Sequence, residues 1–90
     1  MKKRKLHYYV INGEVRYMDF HEYLQQAEKA LNFNHAKMAR MLKVPYRTYQ
    51  NWIRGDRFPA YPTREYIKNK IDLLLAIYAI GGEVENAKKE

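Results

Sequence analysis

Residues 34–59, NHAKMARMLKVPYRTYQNWIRGDRFP, hold the pattern that decides the fold of this chain. Asn34 is of a residue type that caps helix N-termini. The apolar residues after it recur at helical spacing: Met38, Ala39, Met41 and Leu42. Pro45 suits the first turn of another helix, because its fixed φ is compatible with a helix start and not with an interior. The pattern predicts helices over residues 35–42 and 46–54, joined by a turn of about three residues.

A β-hairpin is predicted over residues 7–18, before these helices. Asn12-Gly13 lies between two strand-like runs, and this dipeptide tolerates the two positive φ angles of a type I′ turn. A two-residue turn pairs Val10 with Val15 and Tyr8 with Tyr17, which places these four side chains on one face. We expect that face to pack on the helices. The other face then holds Tyr9, Ile11, Glu14 and Arg16.

Two further helices are expected around the central pair. Asp19, followed three residues later by Glu22, resembles a capping box and predicts a helix from residue 20 to residue 31. Thr63 is expected to cap a longer helix over residues 64–80, which Gly81-Gly82 would end.

The fold class that follows is mostly α: four to five helices preceded by the hairpin, in a single domain of 90 residues. The helical part covers residues 20–80. Residues 1–6 are expected to form a basic arm, and residues 83–90 a frayed tail.

The charge balance favours a polyanionic partner. Lys and Arg number 17 against 10 Asp and Glu, which gives a net charge of +7. Basic side chains that neutralise phosphates release the counterions condensed on a polyanion, which favours binding. Ribosomal proteins, membrane-surface proteins and DNA binders all share this charge balance. Residues 35–57 hold six basic side chains and one acid, Asp56. The excess is therefore concentrated on the predicted helix pair.

Residue types needed for enzyme chemistry are missing or scattered. The chain has no Cys and no Ser, which excludes disulfides, thiolate metal sites and a serine nucleophile and favours a reducing compartment. His7, His21 and His35 fall on three different predicted elements, so we expect no metal site. Helix capping explains Asp19 and Glu22 better than acid–base catalysis does. We expect no enzyme, no cofactor and no small-molecule substrate.

Residues 35–59 resemble the lambda-repressor-like helix-turn-helix family, also known as the Cro or XRE type, whose reading unit often ends in Gly, a basic residue and Pro. The best-fitting positions are Ala39, Val44, Thr48, Trp52, Gly55, Arg57 and Pro59. The chain differs where the family usually has Gly (Lys43), Ser or Thr (Pro45), Gln (His35) and Glu (Ile53). A Lys in a left-handed turn conformation costs on the order of 1 kcal/mol relative to Gly.

The resemblance implies that the second helix of the pair enters the DNA major groove. Its outward residues would then read bases: Tyr46, Arg47, Gln50, Asn51 and Arg54. Arg can bond guanine bidentately, and Gln and Asn can bond adenine, so Arg47 and Gln50 are the main candidates. The implied phosphate contacts are His35, Lys37, Lys43, Thr48 and Arg57. Tyr49 and Trp52 are expected in the core.

The basic N-terminus, with Lys2, Lys3, Arg4 and Lys5, has two readings. It is either a solvated tail or an arm that lies along phosphates or in the minor groove. The apolar residues after it are too few for a signal peptide, and no window approaches a membrane span. We therefore expect a cytoplasmic protein without membrane contact, associated with the nucleoid when bound to DNA.

The last predicted helix is apolar around its whole circumference over residues 73–80. One stripe, assigned to the core, holds Ile67, Ile71, Leu74 and Tyr78. A second stripe, Leu73, Ile77 and Ile80, is expected to be a dimer interface. The alternative is that the hairpin covers the second stripe within one chain.

Together these expectations describe a sequence-specific binder of double-stranded DNA. The implied role is a transcriptional repressor or autoregulator of a phage, plasmid or other mobile element, acting as a homodimer on an inverted repeat. The first alternative is an accessory protein in recombination or replication. The second is a protein-interaction or RNA-binding module; only Tyr46 and Tyr61 of the nine tyrosines are expected to be available for base stacking, which disfavours RNA.

Overall fold

The computed structural model describes residues 6–80, with side chains to residue 78. Its elements are β1 (Leu6–Ile11), β2 (Glu14–Asp19), α1 (Phe20–Leu31), α2 (His35–Leu42), α3 (Tyr46–Ile53), α4 (Tyr61–Leu74) and a π-helical segment (Leu75–Ile80). A mostly helical fold with an N-terminal antiparallel hairpin was predicted and is confirmed. Predictions for Lys2 to Lys5, for Gly81-Gly82 and for the tail over 83–90 lie outside the described residues.

The hairpin has the predicted turn and register. Asn12 and Gly13 have φ values of 53° and 80°, as a type I′ turn requires. Val10 pairs with Val15 and Tyr8 with Tyr17.

The prediction of which hairpin face packs inward was wrong. Tyr8, Val10, Val15 and Tyr17, which we call the outer hairpin face, are exposed, whereas Tyr9, Ile11 and Met18 are buried. Strand β1 lies against both α1 and α4, so its inward residues enter the core. The Tyr9 ring stacks on Tyr23 of α1, with ring centroids 4.1 Å apart. Glu14 and Arg16 on β2 remain exposed beside α1.

Local capping signals set the helix starts where the sequence placed them. The backbone N–H of Asp19 donates to Glu22 Oε1 at 3.1 Å, which is one half of the predicted capping box at α1. At α2, the backbone N–H of Lys37 donates to Asn34 Oδ1 at 2.8 Å. Helix α3 begins directly after Pro45.

Helix α4 differs from its prediction at both ends. It begins at Tyr61, with Ala60 as N-cap and Pro62 in the first turn, so Thr63 is not the cap. Pro62 fits there because its φ is already helical and a first-turn N–H needs no partner. The π-helical turn after Leu74 displaces later side chains from the stripe expected for an α-helix. Tyr78, which α-helical spacing assigned to the core, is therefore exposed. Its ring still meets the Phe33 ring edge-to-face, with the ring centroids 5.3 Å apart.

The core lies where the hairpin and the four helices meet. Tyr49 and Trp52 are buried as predicted. The largest fully buried side chains are Tyr9, Phe20, Tyr23, Leu24, Met38, Leu42, Tyr49, Ile67 and Ile71. Across residues 6–80, no helix is long and apolar enough to cross a membrane.

Candidate nucleic-acid interface

A three-residue turn, residues 43–45, joins α2 to α3. The N–H of Lys43 donates to Arg40 O at 3.1 Å, and the N–H of Val44 donates to Ala39 O at 3.0 Å. This bond pair is a Schellman motif, which requires a left-handed residue at its centre. Lys43 occupies that position with φ 60°, so the strained turn lysine expected from the sequence is present.

The inner side of α3 is fixed to α1. Tyr49, Trp52 and Ile53 are buried, and the Trp52 ring meets the Phe20 ring edge-to-face at 5.9 Å. The Gln25 side chain on α1 donates to Ile53 O at 3.2 Å. These contacts leave one side of α3 directed away from the core.

The predicted base-reading residues lie together on that outward side. Tyr46, Arg47 and Arg54 are exposed, and Gln50 and Asn51 are half-buried. They recur three or four residues apart, so they share one helix face. Within residues 6–80, the side chains of Tyr46, Arg47 and Gln50 make no hydrogen bond or ion pair. Their polar groups are available to an external partner.

Arg54 and Asn51 have local partners instead. Arg54 Nε lies 3.1 Å from Asp56 Oδ2, and its Nη2 donates to Asn51 Oδ1 at 3.4 Å. Both ends of the Arg54–Asp56 pair are more than half exposed, and exposed pairs of this kind contribute little to stability. A phosphate or base could therefore replace Asp56 as the partner of Arg54.

Position 55, directly after the C-cap residue of α3, favours Gly for two reasons. Its φ is +81°, which disfavours a side chain, and a Cβ at this position would lie 3.3 Å from His21 Nδ1. The N–H of Asp56 donates back to Asn51 O at 2.9 Å, closing the helix.

The predicted phosphate contacts differ in exposure and in local partners. Lys43, which precedes α3 in the chain, and Arg57, which follows it, are exposed, and Thr48 is half-buried. Lys37 has its ammonium 4.6 Å from the Phe33 ring centroid and 5.8 Å from that of Tyr78, so cation–π contacts hold it towards the π-helical segment. Arg40, for which the family resemblance implies no contact, is also exposed, on α2.

Sequence reasoning missed a buried carboxylate under the site. Glu28 is 9% exposed, and its Oε2 accepts a hydrogen bond from the Tyr49 hydroxyl at 2.5 Å. His35 Nδ1 lies 2.8 Å from the same oxygen, so the carboxylate joins α1 to the start of α2 and the middle of α3. Burial, followed by the hydrogen bond to Glu28, holds the pKa of the Tyr49 hydroxyl well above its usual range. The sequence signal for this buried carboxylate is that Glu28 lies at helical spacing between the apolar residues Leu24 and Leu31.

His35, predicted to contact phosphate, is held from one side only. Its Nδ1 faces Glu28, while its side chain is nearly half exposed. A carboxylate on one ring nitrogen fixes the orientation of the ring and directs Nε2 away from that partner.

The tyrosines are more exposed than the sequence indicated. Besides Tyr46 and Tyr61, four others are exposed: Tyr8, Tyr17, Tyr66 and Tyr78. The prediction that only two are available was wrong. Tyr8 and Tyr17 are exposed because the helices do not cover the outer hairpin face, and Tyr66 and Tyr78 are exposed on α4 and on the π-helical segment.

Within the described part of the chain, no group of three or more His, Cys, Asp or Glu residues could hold a metal ion. Comparison with protein-family models, with curated proteins and with solved structures finds no match to this chain.

Proposed function

We propose that this protein binds double-stranded DNA sequence-specifically, with α2 and α3 acting as a lambda-repressor-like helix-turn-helix and α3 as its reading helix. One observation carries the proposal. Tyr46, Arg47 and Gln50 extend from α3 without partners in residues 6–80, while the opposite side of the same helix is buried. Arg and Gln on a rigid helix match the hydrogen-bonding edges of guanine and adenine in the major groove.

The charge distribution supports the same surface. Six basic residues and one acid lie in residues 35–57. Arg40, Lys43 and Arg57 are exposed there, where they can neutralise phosphates on both sides of a groove.

The biological role we propose is a repressor or autoregulator of a phage, plasmid or other mobile element. It acts as a homodimer on an inverted repeat, whose half-sites would lie about 34 Å apart. Leu73 and Ile77 are exposed and are proposed dimer contacts; the Ile80 side chain lies outside the described side chains. An accessory role in recombination or replication would use the same reading helix.

Selection of bound sequences from random duplex DNA tests the proposal. The wild-type chain is expected to enrich an inverted repeat, and Arg47→Ala and Gln50→Ala should each lose preference at one base pair per half-site. The expected cost is about 1–3 kcal/mol per base contact. Arg16→Ala, at an exposed hairpin position, is the matched control and should retain the selected sequence. If preference survives both α3 substitutions, α3 is not the reading helix.

The genomic position of the selected sites separates the two roles. Sites overlapping the promoter of the protein's own gene support the repressor. Sites at recombination or replication origins, with no effect on transcription, support the accessory role.

A further inference from the structure

His35 connects the buried Glu28 to the surface of the candidate nucleic-acid interface. Its Nδ1 lies 2.8 Å from Glu28 Oε2 and 3.0 Å from Glu28 Oε1. The His35 side chain is 47% exposed, whereas that of Glu28 is 11% exposed. Within residues 6–80, His35 Nε2 makes no hydrogen bond. One ring nitrogen is therefore held by the protein, and the other is available to an external group.

The carboxylate determines which nitrogen of a neutral His35 carries the proton. An ionised carboxylate only accepts hydrogen bonds, and Glu28 Oε2 already accepts one from the Tyr49 hydroxyl. The Nδ1 atom, which lies near both carboxylate oxygens, is therefore the donor. In a neutral imidazole the second nitrogen is then an acceptor. A neutral His35 presents a lone pair at Nε2, and only the imidazolium presents an N–H there.

A DNA phosphate distinguishes these two forms of His35. Phosphate oxygens accept hydrogen bonds and repel a lone pair, so they bind the imidazolium and not the neutral form that is protonated on Nδ1. His35 is the first residue of α2 and is a phosphate contact that the family resemblance implies. Gln, which the family usually has at this position, donates at any pH. The carboxylate beneath His35 therefore links this contact to a proton.

The groups around His35 leave the imidazole as the one that changes charge near neutral pH. The ionisable groups that contact it within residues 6–80 are Glu28 from α1 and Tyr49 from α3, whose ring centroid lies 6.2 Å away. Burial and the bond to Glu28 hold the pKa of the Tyr49 hydroxyl well above its usual range, so Tyr49 keeps its proton. On α2, the ammonium of Lys37 lies over the Phe33 ring. Histidine is the side chain whose charge ordinarily changes between pH 5 and 8.

We propose that Glu28 is a positioning residue that makes the phosphate contact of His35 depend on protonation, so that DNA binding is coupled to proton uptake at His35. The inference rests on the proposed DNA-binding function and adds to it a dependence on pH. The complex holds the proton more firmly than the free chain does. Affinity for DNA should therefore fall as the pH rises through the range in which the imidazole loses its charge.

Duplex affinity measured against pH tests this inference. The probe is a short duplex carrying the sequence selected from random DNA, titrated by fluorescence anisotropy from about pH 5.5 to about pH 8.5. The wild-type Kd is expected to rise about tenfold for each chain bound, as for the loss of one hydrogen bond to a charged group. The salt slope should lose about one charge per chain over the same interval. His7→Gln, the matched control on the hairpin, should retain both changes.

Two variants separate the roles of His35 and Glu28. His35→Gln should bind with a Kd that varies much less with pH, because its amide donates without taking up a proton. In Glu28→Gln the amide oxygen accepts from Tyr49 and the amide nitrogen donates to His35 Nδ1, which moves the imidazole proton to Nε2. This variant should keep the phosphate contact at about pH 8.5 and lose most of the pH dependence. Circular dichroism over the same pH range verifies that each variant folds.

NMR of the nitrogen-labelled imidazole of His35 shows the tautomer without DNA. The expected neutral form carries its proton on Nδ1, and a proton on Nε2 overturns the inference. So does a pH dependence that His35→Gln leaves unchanged, or a Glu28→Gln variant that binds more weakly by one factor at every pH. If the selected duplex binds with a Kd independent of pH, the inference fails and the proposed function stands. If no duplex is bound even with the expected tautomer, the proposed function fails and the coupling fails with it.

Discussion

The Tyr49 hydroxyl on α3 donates a hydrogen bond to Glu28 on α1, with the two oxygens 2.5 Å apart. Both side chains are buried, and His35 at the start of α2 approaches the same carboxylate. One carboxylate thereby connects the three helices whose relative positions determine how α3 faces outward.

Glu28→Ala is expected to destabilise the protein, because it leaves the buried Tyr49 hydroxyl without its acceptor. A stranded buried polar group costs about 1–3 kcal/mol, and urea unfolding should show a loss of that order. In the double variant Glu28→Ala/Tyr49→Phe the hydroxyl is also gone, so the double variant should lose less than the sum of the two single losses. Strict additivity would show that the two groups do not interact.

Substitutions at Lys43 should separate turn strain from phosphate binding. Lys43 has φ 60°, a conformation that Gly and Asn adopt more easily. Lys43→Gly and Lys43→Asn should raise the free energy of unfolding by up to about 1 kcal/mol. Both should weaken DNA binding at low salt and reduce the magnitude of the salt slope by about one charge. A gain in stability with an unchanged salt slope would show that Lys43 does not contact phosphate.

Stability should fall as the pH rises above about 10. Burial raises the pKa of Tyr9 to about 12 and raises the pKa values of Tyr23 and Tyr49 further. The folded chain therefore keeps these protons while the unfolded chain, with ordinary tyrosines near pKa 10, loses them. The contribution of these tyrosines to the free energy of unfolding is complete below pH 10 and is lost as the pH rises through the folded pKa values.

Urea midpoints measured from about pH 9 to about pH 11 check this dependence. Tyr9→Phe is the control, since the Tyr9 hydroxyl has no hydrogen-bond partner within the described residues. The variant should fold and should show a shallower decline. A decline identical to that of the wild type would mean that Tyr9 does not contribute.

Asp72→Asn should stabilise the protein at neutral pH. Partial desolvation raises the pKa of the Asp72 carboxyl above its ordinary 3.8, although Lys68 opposes the shift and the residue keeps contact with solvent. A carboxyl with a raised folded pKa destabilises the folded state progressively as the pH rises above the unfolded value. The advantage of Asn should therefore be present at pH 7 and disappear near pH 3 in thermal unfolding. An advantage that persists at low pH would have another origin.

Local signals predicted most of the helices. Asp19 and Asn34 mark starts through capping bonds and Pro45 through its fixed φ, and the structure places α1, α2 and α3 at those starts. At α4, Pro62 and Thr63 are competing start signals one residue apart. The start predicted from Thr63 is three residues late, because the first-turn preference of Pro62 determines the helix start.

Long-range contacts account for what the sequence did not reveal. Both hairpin faces carry apolar residues, and contacts with the helices, such as the stack of Tyr9 on Tyr23, determine which one is inward. Glu28 was overlooked because a charged residue is expected in solvent; its partner Tyr49 is 21 residues away. The outward face of α3 was predictable, since the buried Tyr49 and Trp52 define its opposite side.

The stacking of Tyr9 on Tyr23 bears on how this protein can be shortened. A fragment beginning at Phe20 keeps every residue of the α2–α3 pair but removes the ring that covers Tyr23 and borders Phe20. Two aromatic side chains that are 1% exposed in the intact chain would then face water, and the fragment would be prone to self-association. We therefore expect the smallest fragment that keeps the α2–α3 pair in its native packing to begin at β1.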